Sequence, residues 1–140
     1  MSLIRRAAAY AALVALSATL ATGAGAARSA TVVLSESSNG RTIAVNPGAH
    51  LTLTLHSAYW SVIRLPKQTT VIELGKTTTV GVLPGATSGC VAGQGCGTVT
   101  ARFVAGGSGR VRLRATRTSC GEALRCTPSQ SLWTVVIRVR

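Results

Sequence analysis

Between Leu51 and Leu55 the chain alternates leucine with threonine, so an extended backbone there is apolar on one side and polar on the other. The same period of two returns in Thr98–Val104, where Val99, Ala101 and Phe103 oppose Thr100 and Arg102. It returns in Arg110–Ala115, where Val111, Leu113 and Ala115 alternate with arginines, and in Leu132–Val139, where Trp133, Val135, Ile137 and Val139 share a side. A half-buried strand requires this pattern, and almost no helical period competes with it. Shorter candidate strands lie at Thr31–Leu34, Thr42–Val45, Tyr59–Leu65, Val71–Leu74 and Thr77–Leu83. Turn signals separate them: Ser37–Gly40, Asn46-Pro47-Gly48, Pro66, Pro84-Gly85 and Gly106–Gly109. Seven to nine such strands in about 110 residues predict an all-β chain folded as a two-sheet β-sandwich. Its core should hold Leu51, Leu53, Leu55, Val99, Phe103, Val111, Leu113, Trp133, Val135 and Ile137.

Cysteine usage and the amino terminus point to one compartment. Met1–Arg6 is basic, Ala7–Ala21 is apolar and uncharged, and Ala24-Gly25-Ala26 is a small-residue cleavage pattern. We expect residues 1–26 to be a signal peptide that is removed, leaving 27–140 as a single secreted domain with no membrane span. Its location would be extracellular, periplasmic or in the cell envelope. In such an oxidising setting four cysteines read as two disulfides. Three pairings are open to Cys90, Cys96, Cys120 and Cys126. Local pairing, 90 with 96 and 120 with 126, is favoured because each C-x5-C can staple its own long loop, Gly85–Gly97 or Thr116–Ser131. Closing so short a loop contributes roughly 2–3 kcal/mol in the chain-entropy description. Zinc is disfavoured, because its sites use tighter cysteine spacing and His50 and His56 lie far from both pairs in sequence.

Charge and composition exclude most chemistry. The whole chain carries a formal net charge of +12, with no aspartate and only Glu36, Glu73 and Glu122 as acids. Neither a Ser-His-Asp triad nor a paired-carboxylate site has its parts, and a Cys–His nucleophile would need a thiol spared from the disulfides. The only methionine is Met1, which leaves copper without its soft ligand. We therefore expect a non-enzyme without metal or cofactor. Arginine far outnumbers lysine, a bias resembling GC-rich bacterial coding. Arg110, Arg112 and Arg114 share one strand face, and Arg138 and Arg140 share a face of the last strand. Paired, these strands would carry a basic stripe. That stripe is either a solvated face or a site for an anionic cell-envelope component. Specific nucleic-acid binding is disfavoured by the scarcity of aromatics to stack on bases.

A family resemblance rests on particular segments. A Ser38-Asn39-Gly40 turn, a short strand and a Pro47-Gly48-Ala49 turn lead into Leu51–Leu55. Tyr59-Trp60 follows, then Gly93-Gln94-Gly95-Cys96-Gly97 before Thr98–Phe103, and Gly109–Arg117 before the Trp133–Val139 strand. Over roughly Val32–Val139 the chain resembles the chagasin-like inhibitors of papain-type cysteine proteases. The resemblance implies an immunoglobulin-like sandwich whose three neighbouring loops enter the cleft of a papain-like cysteine protease and occlude it reversibly; separately, we expect a monomer. In the first loop His56-Ser57-Ala58-Tyr59-Trp60 stands, shortened, where the family has Asn-Pro-Thr-Thr-Gly and an aromatic, so Ser57, Ala58 and Tyr59 are the implied contacts. Gly93, Gly95 and Gly97 match the glycine-rich second loop, with the Cys90 and Cys96 pair as an addition that would stiffen it. Arg117 matches the arginine of the third loop, while Thr118 and Ser119 replace its proline and aromatic. Trp60 reads either as core packing or with Tyr59 as an interface anchor.

Overall fold

The leucine–threonine alternation is the centre strand of a sheet. In a computed structural model that describes residues 29–82, 90–91 and 93–140, the strands are, in chain order, β1 (Thr31–Leu34), β2 (Thr42–Val45), β3 (His50–His56), β4 (Ser61–Val62), β5 (Val71–Glu73), β6 (Thr78–Gly81), β7 (Gly97–Ala105), β8 (Gly109–Thr116), β9 (Ser119–Gly121), β10 (Leu124–Arg125) and β11 (Leu132–Val139). A single helical turn, α1 (Pro128–Ser131), precedes β11, and a 3-10 turn covers Glu36–Ser38. The expected signal peptide, the end of the Thr77–Leu83 strand and the Pro84-Gly85 turn lie outside the described residues.

Two sheets face each other in an immunoglobulin-like sandwich. One runs β1-β3-β7-β5, with β6 also on the β7 edge that β5 uses. The other runs β2-β11-β8-β4. Register brings the apolar sides together: Leu51 opposite Phe103, Leu53 opposite Ala101 and Leu55 opposite Val99 in the first sheet. In the second, Trp133 opposes Ala115, Val135 opposes Leu113 and Ile137 opposes Val111. A one-residue slip would turn each set out to water, so burial itself fixes the pairing. Leu34, Val45, Ala49, Val71, Ala105, Val139 and Trp60 complete the buried set among the described residues.

Three expectations are corrected. Val111 is only partly buried, because the β4 segment bonds β8 only over Arg114–Thr116 and leaves Val111 on an open sheet edge. The strand expected over Tyr59–Leu65 shrinks to Ser61–Val62, since the Tyr59 ring and hydroxyl are drawn to the Gly93–Gly95 loop and the Trp60 amide closes a turn onto Ser57 O. The long loop expected over Thr116–Ser131 is organised: β9 and β10 form a hairpin, and α1 starts with Pro128 after a Thr127–Gln130 capping box. Cysteine pairing is local, with Cα–Cα distances of 6.2 Å for Cys90–Cys96 and 5.0 Å for Cys120–Cys126.

Candidate functional site

Antiparallel register puts the end of β3, the start of β7, the end of β8 and the start of β11 at one end of the sandwich. His56 lies opposite Thr98, and Thr116 lies opposite Leu132. The loops leaving these strands carry Ser57–Trp60, Gly93–Gly97 and Arg117. Sequence places these segments far apart, and the fold brings them together.

The first and second loops are joined by backbone. Ser57 N–H donates to Gly97 O at 2.9 Å, and Ala58 N–H donates to Gly95 O at 2.7 Å. The Tyr59 ring then lies across Gly95 and its hydroxyl donates to Gly93 O at 2.6 Å. Gly95 has φ +66°, and a Cβ there would fall 2.2 Å from the Tyr59 ring, so no larger residue fits without moving the tyrosine. Ser57 holds φ 118°, an uncommon value for a residue with a side chain, and its hydroxyl accepts the Tyr59 N–H at 3.2 Å. Tight closure of a four-residue connection between β3 and β4 accounts for this conformation.

The third loop locks onto the first through a cation–aromatic contact. The Arg117 guanidinium carbon lies 4.4 Å from the centroid of the Trp60 ring, and Arg117 Nε donates to Gln130 O at 2.9 Å. Trp60 is buried and its indole N–H has no partner among the described residues, so packing and Arg117 hold the ring. Trp60 is thus core on one face and a platform for Arg117 on the other. The β9–β10 hairpin, closed by Cys120–Cys126, extends this end further. Its Glu122 side chain lies against Gly93, where an added Cβ would fall 2.5 Å from Glu122 Cγ. The two stapled loops therefore touch, and between them is an open hollow of ≈ 560 Å³ lined by Gln94, Cys96, Cys120, Gly121, Glu122 and Leu124. Leu124 is 65% exposed at the hairpin and Val91 is 51% exposed beside the other staple.

A polar clasp ties the Glu36–Ser38 turn to the same end. Glu36 accepts the His56 backbone N–H, and its carboxylate oxygens lie 3.3 and 3.2 Å from His56 Nδ1. Partial burial pushes the Glu36 carboxyl up. The His56 N–H, the Glu36 N–H, the His56 ring and its charge together outweigh that and hold it below the ordinary carboxylate range. Trp133 Nε1 donates to Ser35 O at 2.9 Å, fixing this turn to the second sheet.

Glu36, Glu122, Leu124 and Gln130 were not singled out by sequence reasoning. Only Gln130 had a signal, the Thr127-to-Gln130 capping spacing. The arginines lie elsewhere. Arg110, Arg112 and Arg114 point outward from β8, and Arg138 on β11 sits directly opposite Arg110. Arg140 follows β11, donates its backbone N–H to Val45 O at 3.1 Å, and lines a separate hollow with Ala30, Val32 and Ala44. Among the described residues no group of three His, Cys, Asp or Glu side chains is placed to hold a metal ion, and no helix is long and apolar enough to cross a membrane.

No protein-family model matches the chain, and no curated protein matches it in sequence. Solved structures do match in fold. The cysteine protease inhibitor EhICP2 from Entamoeba histolytica superposes with a TM-score of 0.55 at 10% identity, over 81% of this chain and 98% of that one. Amebosin superposes with a TM-score of 0.50 at 14% identity, over 79% of this chain and 98% of the other. At such identities the likeness is one of fold.

Proposed function

We propose that the chain is a reversible inhibitor of papain-type cysteine proteases that works by lodging the Ser57–Tyr59, Gly93–Gly97 and Arg117 loops in the enzyme's cleft. The observation that carries this reading is the meeting of those three loops at one end of a fold shared with a protein described as a cysteine protease inhibitor. The geometry favours it physically. Backbone bonds, a buried tryptophan and two disulfides hold the loops before any partner arrives, which lowers the ordering cost of association. Exposed Leu124 and Val91 flank the assembled surface and supply apolar contact area. The inhibitor needs no covalent step and no cofactor.

A tight-binding titration of the oxidised protein against papain and a cathepsin L-type enzyme tests the proposal. Stoichiometric inhibition, reversed on dilution, is expected. Absence of inhibition at micromolar concentrations overturns it.

A further inference from the structure

The outer face of the second sheet holds a charge pattern that the loop end does not use. Arg110, Arg112 and Arg114 project from β8, while on β11 Arg138 lies opposite Arg110 and Val136 lies opposite Arg112. Like charges directly opposite one another in an antiparallel pair oppose folding. Nothing on the face relieves them. Glu36 is engaged with His56, Glu73 lies on β5 of the other sheet, and Glu122 lies in the stapled hairpin. Between the arginines runs a trough of ≈ 470 Å³ whose floor includes Val136.

We propose that this face binds a linear phosphodiester polymer without bases, laid along β8 and β11. Guanidinium forks match phosphate oxygens in pairs, which lysines do not. Alternate residues of a strand repeat about every 6.7 Å, so phosphates on successive units of a flexible polymer can each meet one arginine. The described aromatics sit in the core or at the loop end, and none lies on this face. The face therefore has no platform for stacked bases and no tryptophan or tyrosine to seat in a bilayer.

The test measures binding of fluorescent poly(glycerol phosphate) to the protein across a salt series. Four phosphate contacts at the single-strand salt slope predict affinity falling about 50-fold between about 50 and about 200 mM salt. Replacing Arg110, Arg112 and Arg114 by glutamine should cut the log–log slope to about a quarter and raise the melting temperature by removing opposed guanidinia. A control with Lys67, Lys76 and Arg102 replaced by glutamine loses the same charge away from the face and should bind normally. Arg112→Gln alone should lower the slope by about 0.7, which keeps the test decisive if the triple variant fails to fold. Equal loss in the control would assign the binding to net charge and overturn the proposal. Tighter binding to oligo-dT of matched phosphate number, or binding to phosphatidylglycerol vesicles alone, would overturn it too.

Discussion

At the residue scale the loop end depends on a few side chains whose partners lie far off in sequence. Arg117 contributes a cation–aromatic contact and a hydrogen bond to Gln130 O. Together these are worth about 1–2 kcal/mol at a partly exposed site. Arg117→Ala should therefore lower the urea midpoint by a corresponding amount, and it should also weaken protease inhibition, because the third loop would no longer be pinned over Trp60. Loss of stability with inhibition unchanged would show that Arg117 is only a brace. Glu36 makes a pH-dependent contribution. Its folded pKa is depressed, so the clasp to His56 stabilises the protein fully above the ordinary carboxylate pKa of about 4.3, and this is lost as pH falls through the lower folded value. With the Glu36 side chain 43% exposed, the effect is modest. Urea melts of Glu36→Gln and the unsubstituted protein should differ by a constant amount above the ordinary carboxylate range and converge only as pH falls through the depressed folded value. A gap that persisted into acid would show that the carboxylate charge is not what the clasp uses. None of these contacts was legible beforehand: no spacing rule joins Glu36 to His56 or Arg117 to Trp60, because each pair is made by the meeting of two separate loops.

At the element scale legibility followed burial. β3, β7, β8 and β11 are long enough to write alternation into the sequence, since each must hide one face in the core and wet the other. β4 is shorter than its apolar run, Tyr59 to Leu65, implies, because Tyr59 docks on the Gly93–Gly95 loop and the Trp60 amide is committed to a turn onto Ser57 O. The β9–β10 hairpin went unread because two- and three-residue strands of mostly exposed or half-exposed residues carry no period. The capping residues of α1 were a readable signal, and their meaning was clear only beside β11. Local pairing of the cysteines, by contrast, was the favoured one of three pairings the sequence left open, and it is the one observed. The Cys120–Cys126 staple closes a loop with sequence separation 6 and should be worth about 2 kcal/mol. Cys120→Ser with Cys126→Ser should reduce unfolding free energy by about that amount while the sandwich still melts cooperatively. A loss several times larger would mean that the hairpin takes part in the core rather than decorating its end.

At the scale of the whole molecule the sandwich separates two surfaces. One end gathers the loops, and the outer face of the second sheet carries the arginines. Strand register produces both: it sets His56 beside Thr98 and Thr116 beside Leu132 at the end, and Arg110 beside Arg138 on the face. The expectation that Ser57, Ala58, Tyr59, Gly93, Gly95, Gly97 and Arg117 act together came from the family resemblance, and their physical meeting is a consequence of that register. Whether they touch a protease is a question of footprint. The most direct measurement is amide hydrogen exchange on the protein alone and with papain in slight excess. The account predicts added protection in Ser57–Trp60, in Gly93–Gly97 and across Arg117–Cys126, with β8 and β11 unchanged away from the loop end. Protection confined to the arginine face, or no protection anywhere, would contradict it.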